Sequence, residues 1–501
     1  MSTYPSDIFN DTSAEWTAAG GDSRLMDVNV PFSDSVGHQV WIMISAALIM
    51  PIIPGIGLFY AGEARRKSAM SILWQSMAIL GLIPFQWFFW GYSLTYASDA
   101  SPFIGTLSNF GLKNVVAAPV GYIPEITYCF FQCMFAVETI VIMIGGGFER
   151  CRFLPSMVFC FCWTTIVYCP VACWTWNSNG WLYTLGALDF AGGGPVHIAS
   201  GFGSLALACG LGRSKSRALT EDSTSSNNRS IRQRILGPRF QSSPANSPLM
   251  IYIGTIFIWF GWFGFNGGST LNATVRAGYA LANTNLSAAT GILGWNLVDY
   301  FAYKGKFSVA GSCRGVMVGL VAITPAAGYV PIYFAAVIGF VAAIIVRLSA
   351  DFTSRLLRID DGLMVFQNHA IGGIAGAIMT GLFAASWVSE LDGSSVSSGW
   401  VDENYVQLGY QIAEVCAISG YTFVVSMILF HVINIIPGMK FRSEDVEEEE
   451  GLDHHYLYRE GMGDHEFYTM LKDNGILDAM MIRGQELLNE KTASISTLKS
   501  H

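Results

Sequence analysis

Charge is scarce in this chain. Only 13% of its 501 residues are Asp, Glu, Lys or Arg, 52% are hydrophobic, and the mean hydropathy is +0.41. That balance excludes an ordinary soluble domain. The net charge of -9 says little, because the charges are unevenly placed. Short segments of alternating polarity are lacking, which excludes a transmembrane β-barrel. The first 37 residues lack a basic stretch followed by a short apolar run, so no cleavable signal peptide is expected. Ten cysteines are present, all in or beside apolar runs. Cys160 and Cys162 have no second metal-type pair, so the cysteines read as small packing residues and no metal or cofactor is expected. No paired carboxylate, and no nucleophile with a base at matching depth, suggests an intramembrane enzyme.

The apolar residues come in runs of bilayer-spanning length. Eleven spans are expected, near 38–61, 68–96, 124–147, 151–175, 193–212, 248–268, 276–301, 308–325, 330–350, 370–388 and 406–437. Helices are the economical form in lipid, so the fold class is an all-α polytopic membrane protein. Basic residues set the orientation. Arg65, Arg66, Lys67, Arg150, Arg152, Lys304, Lys306, Arg355, Arg358, Lys440 and Arg442 follow odd-numbered spans, as do seven basic residues between 213 and 239. The alternate links hold almost none. The amino terminus is therefore expected outside and the carboxyl terminus in the cytosol. Asn10 then lies in an exposed glycosylation sequon. The divisions are an outer segment 1–37, a first half 38–212, a cytosolic linker 213–247, a second half 248–388, an eleventh helix 406–437 and an acidic cytosolic tail 438–501. For the tail, with Glu444, Asp445 and Glu447–Glu450 followed by Tyr456, Tyr458, Phe467 and Tyr468, two readings stay open: a solvated segment, or one that docks on the cytosolic face.

The two halves share a spacing. Asp189 precedes His197 by eight residues, and Asp361 precedes His369 by eight. Each histidine enters a Gly/Ala-rich run, at the fifth and tenth spans. Five is odd, so the halves lie in opposite orientations, and an inverted repeat places its site near the midplane. The eleventh span has no counterpart and would brace the bundle. Two repeat-equivalent histidines inside a membrane point to function, and their rings can hydrogen-bond each other and carry a proton near neutral pH. Both aspartates fit helix capping. Asp189, on the outer side, is also expected to orient carbonyls towards an arriving cation. Phe131, Phe135, Trp176, Trp262 and Phe265 cluster towards the outer ends of their spans, where π-faces attract a small cation, and Ser269 adds a hydroxyl acceptor. An acceptor beside ring faces selects ammonium, which donates four hydrogen bonds, over potassium, which donates none.

The chain resembles the ammonium transporters of the Amt/Mep/Rhesus family, most of all the fungal Mep permeases. The residues that carry the resemblance are IPGIGLFYAGEARRKSA (53–69), FQWFFWGYSL (85–94), FQCMF (131–135), LDFAGGGPVHIASG (188–201), WFGWFGFNGGS (259–269), GLVAITPAAGYVPI (319–332) and LLRIDDG (356–362). It implies eleven helices, an inverted five-helix repeat and a homotrimer with one pore per subunit, in the plasma membrane. It implies that Trp176, Phe135 and Ser269 recruit the substrate with support from Asp189. Phe135 and Phe265 would form a phenyl gate, and His197 and His369 would line the pore with Trp262 and Phe131. Four positions depart from the family's pattern: Glu138, Arg314, Met364 and Ala370. A lone charge at mid-membrane depth costs on the order of 3 kcal/mol, so Glu138 and Arg314 are expected to form a buried ion pair.

The expected function is uptake of ammonium, with methylammonium as an analogue. The ion would lose a proton at the outer vestibule and cross as ammonia. The alternative is an ammonium sensor with reduced transport that signals through its cytosolic tail. The implied partners are the lipid bilayer, further copies of the chain and cytosolic regulators at the tail. No nucleic acid is implied.

Overall fold

Apolar runs become helices here because a helix pairs its backbone donors and acceptors within one segment. The computed structural model describes residue 32, residues 35–213, 245–350 and 361–458, and residue 483. Among the described residues eleven long helices follow one another. They are α1 (Val36–Glu63), α2 (Arg66–Tyr96), α3 (Glu125–Ile144), α4 (Phe153–Leu185), α5 (Gly193–Leu211), α6 (Pro248–Gly268), α7 (Val275–Ala302), α8 (Val309–Ile323), α9 (Ile332–Ser349), α10 (Phe366–Phe383) and α11 (Gln407–Ile435). Each falls on one expected span, with most ends displaced by a few residues and α4 continuing to Leu185, past the expected end at 175. A two-stranded hairpin, Pro119–Val120 with Ile123–Pro124, precedes α3. The sequon at Asn10, the interior of the link 213–247 and most of the tail past residue 458 lie outside the described residues.

Length and hydropathy alone qualify eight of these helices as spans, and a ninth if α10 is counted with the segment bent 102° from it, Ser386–Asp392. The remaining two are α7 and α8. Helix α8 is only 15 residues long. Helix α7 is diluted by Asn283, Thr284, Ser287 and Asp299, all buried against other helices. Their partners are internal: the Asn283 amide donates to the carbonyls of Ala327 and Val330 at 2.9 Å, and the Ser287 hydroxyl donates to Gly319 at 2.7 Å. Polar side chains that face protein lower a helix's hydropathy without exposing polarity to lipid.

Buried charges join helices in pairs. Arg347 of α9 reaches Asp299 of α7 at 2.6 Å, and the Trp295 indole also donates to that carboxylate. Arg276, near the start of α7, reaches Asp392 at 3.1 Å and donates to the Gly328 carbonyl at 2.9 Å. Arg314 of α8 pairs with Glu63 at the end of α1, at 2.5 Å. This corrects the expected pairing with Glu138. Glu63 and Glu138 lie on different helices, and the guanidinium meets the one at the end of α1. Glu138 is fully buried, and neither carboxyl oxygen has a hydrogen-bond partner among the described residues.

The described part of the tail docks. The backbone of Arg152 donates to the Phe441 carbonyl at 2.8 Å, and that of Ser443 to the Arg150 carbonyl at 2.9 Å. Two short helices follow, α12 (Asp445–Glu450) and α13 (Leu452–Tyr456). Arg152 meets Glu444 and Glu447 at 3.2 and 3.3 Å, and Tyr456 stacks on Phe153 at 4.8 Å. Asp453 accepts from the backbone of Met70 at 3.1 Å and of Ser71 at 2.7 Å, and from the Ser71 hydroxyl at 2.6 Å. A carboxylate from the tail thus satisfies amides near the start of α2 that the helix itself cannot pair. Of the two readings of the tail, the docked one holds for residues 441–456.

Arg314→Leu leaves Glu63 in place without its cation, and is expected to lower stability by about 3–5 kcal/mol. Adding Glu63→Leu should restore most of that loss. Thermal unfolding in detergent checks this, and a double variant no more stable than the single one would show that the pair does not join α1 to α8.

Candidate functional site

The site begins with a stripe of rings on α3. Phe131 and Phe135 stand one helical turn apart and share a face. Their rings meet edge to face, centroids 5.0 Å apart. Phe135 stacks on Phe265 of α6 at 4.2 Å and 28°, and both are buried. Trp176 sets its edge against Phe135 at 5.9 Å, and its indole N–H donates to the Asp189 carbonyl at 3.1 Å. Ser269, one turn beyond Phe265, donates its hydroxyl to the Phe265 carbonyl at 2.8 Å, which leaves its oxygen as an acceptor.

The rings continue inward. Phe265 lies 5.1 Å from Trp262, and Trp262 lies 5.4 Å from His197, nearly parallel at 13°. The Trp262 indole donates to the Thr324 hydroxyl at 3.0 Å, which holds its plane. His197 and His369 are buried and face each other, Nδ1 to Nδ1 at 3.4 Å. Neither Nε2 has a partner among the described residues. For two neutral rings, one Nδ1 must carry the shared proton and the other must accept it. One Nε2 is then an acceptor and the other an N–H donor. The pair offers a small polar molecule both functions in an otherwise apolar wall.

Each histidine rides on a π-helical turn, Gly193–Ile198 in the first half and Phe366–Ile371 in the second. Such turns are wider than an α-turn and are common at functional sites. Carboxylates hold both turns. Asp189 accepts from the backbone N–H groups of Gly192, Gly193 and Gly194 at 2.7–2.8 Å. Asp361 accepts from those of Val365 and Phe366 at 3.1 and 2.9 Å. The carboxylate of Asp189 faces the helix start, and its backbone carbonyl faces Trp176. That carboxylate is buried, and the Asp189 backbone carbonyl accepts from the Trp176 indole. Burial pushes the Asp189 carboxyl up, against Glu414 and the three amides, whose hydrogen bonds pull it down.

Several residues that shape the site were missed in the sequence. Gly201 and Gly373 each stand four residues after their histidine. A Cβ on Gly201 would come within 2.5 Å of the Ala370 backbone nitrogen. A Cβ on Gly373 would come within 3.0 Å of the Gly193 carbonyl and 3.2 Å of the His197 Cβ. The two pore helices therefore cross at matching points, each glycine against the turn that holds the opposite histidine. The recurrence of glycine at that offset was legible. Less legible was α11. Gln411 exchanges two hydrogen bonds with the Leu188 backbone at 2.7 and 2.8 Å, and Gln407 donates to the Gly186 carbonyl. The eleventh helix clasps the loop that carries Asp189.

A polytopic helical membrane protein with two half-equivalent pore helices and a ring-capped polar pair belongs to the transporter and channel class. The chain is a member of the Ammonium Transporter Family, whose sequence pattern matches residues 40–460. It is 44% identical to the ammonium transporter MEP2 of Saccharomyces cerevisiae over 441 residues, 87% of this chain and 84% of that one. It is 43% identical to ammonium transporter 1 of Schizosaccharomyces pombe over 439 residues, 87% of this chain and 83% of that one. The crystal structure of Candida albicans Mep2 superposes with a TM-score of 0.77 at 45% identity, covering 87% of this chain and 92% of that one.

Asp189→Ala strands three buried amides and Asp361→Ala two, at about 1–3 kcal/mol for each unsatisfied group. Thermal midpoints of the purified variants should fall for both, and further for Asp189→Ala. Equal or negligible falls would show that these carboxylates do not hold the π-turns.

Proposed function

We propose that the chain takes up ammonium across the plasma membrane, as a homotrimer with one pore in each subunit. Trp176, Phe135 and Ser269 recruit the ion at the outer mouth, through ring faces and a hydroxyl oxygen. The stacked rings of Phe135 and Phe265 close the path beneath it. An intact cation would have to shed its water to pass that stack, at a cost that buried apolar walls do not offset. Ammonia, being neutral, passes at far lower cost. His197 and His369 then hand the molecule along, one Nε2 accepting and one donating.

The observation that carries this reading is the unbroken ring contact from Trp176 through Phe135, Phe265 and Trp262 to His197. It supports a cation-favouring mouth on one side of a closed stack, with the paired imidazoles on the other. The docked tail suits a regulated transporter as well as a sensor, and the pore geometry favours transport. With inverted halves, the docked tail and the basic links lie in the cytosol, where they can meet regulators.

Expression in a cell lacking ammonium uptake should restore growth on low ammonium. Phe135→Ala and His197→Ala should each change methylammonium uptake by about 10-fold or more. Uptake matching the wild type in both variants, at equal surface amounts, would remove the gate and the histidine pair from the mechanism.

A further inference from the structure

Glu138 is a buried acid that neither the helix packing nor the ring and histidine line uses. It lies seven residues after Phe131 and three after Phe135, so it continues their stripe on α3. That places it about 4.5 Å along the helix beyond the gate ring, on the inner side. Its carboxyl is fully buried, and both oxygens are without a hydrogen-bond partner among the described residues. Arg314, the counter-charge expected for it, is held by Glu63. Two buried tyrosines, Tyr60 of α1 and Tyr168 of α4, lie within electrostatic reach of Glu138, and neither hydroxyl has a hydrogen-bond partner among the described residues. Tyr60 stands three residues before the end of α1, among Asp361, Glu63 and Glu138.

A carboxylate in such a place bears the full cost of its desolvated charge. A fixed cation would remove that cost, and none pairs with Glu138 among the described residues. A mobile proton removes it too, and a pore that splits ammonium releases one for every molecule passed.

We propose that Glu138 carries that proton through the inner half of the pore. The inference rests on the transport reading above. At the ring stack an N–H bond of ammonium breaks, and its electron pair stays on nitrogen, giving ammonia. The proton passes by the histidine pair to a carboxylate oxygen of Glu138, where an O–H bond forms. Ammonia moves on. The O–H bond breaks as the proton leaves past the Tyr60 hydroxyl to the inner solution, and the proton of the next ammonium re-forms it, so Glu138 rests protonated between turnovers. One ammonium taken up outside appears inside as one ammonia and one proton.

The test uses the full chain in liposomes, with ammonium-evoked current and methylammonium uptake measured on the same preparation. In Glu138→Gln the ratio of current to uptake should fall about 10-fold, while Glu138→Asp should stay within about threefold of the wild type. A ratio in Glu138→Gln within about twofold of the wild type overturns the proposal. So does a rise in uptake at an unchanged ratio, which would make Glu138 a steric plug. A wild type that takes up no methylammonium would instead sink the transport reading itself. Should Glu138→Gln fail to reach the membrane, the wild type decides. Labelling of Glu138 by a hydrophobic carbodiimide, slowed by methylammonium, supports the proposal. Absent or unaffected labelling overturns it.

Discussion

Two buried carboxylates hold the starts of the two pore helices, and the rest of the site depends on them. A helix that begins inside a membrane protein has amides with no partner in the preceding turn and no bulk water to meet them. Asp189 takes three such amides and Asp361 takes two. With its first turn held, each helix can open into a π-helical turn that carries a histidine. The two imidazoles meet at 3.4 Å only because both turns are placed this way. Gly201 and Gly373 then let the helices approach closely enough for that contact. From outside, α11 holds the loop of Asp189 through Gln407 and Gln411.

Buried charge follows the same economy. Arg276, Arg314 and Arg347 each reach a carboxylate on another element, so each pair ties two elements while neutralising itself. Removing one partner of such a pair costs more than never having had it. The docked tail adds the same device at the surface, with Asp453 serving amides of α2 and Arg152 meeting two glutamates. Glu138 alone departs from this pattern among the acids discussed. It lies one turn after Phe135 on the same face of α3.

Much of this architecture was legible in the chain. Lipid leaves so few options for a backbone that apolar runs and basic links suffice to count helices. They misjudged only ends, as where α3 stops at Ile144 before the turn at Gly145. The spacing of Asp189 to His197 and of Asp361 to His369 pointed to the paired pore helices. Family resemblance supplied the ring gate, and the structure brings Phe135 onto Phe265 and Trp176 onto Phe135. The reading of buried charge failed on direction. Arg314 was expected to meet Glu138, but the distance along a helix does not say which neighbouring helix a side chain faces. Asp189 was expected to orient carbonyls, and which amides its carboxylate would hold to do so could not be read from spacing.

Composition, hydropathy and spacing by themselves determined a helical membrane protein, its eleven segments and the two histidines at its centre. They could do so because burial in lipid imposes a backbone rule that acts on each segment separately. Only the tertiary structure decided which acid Arg314 meets, which way Asp189 turns, and that Glu138 has no partner among the described residues. Those outcomes depend on the rotation of each helix about its axis, and packing among several helices at once sets that rotation.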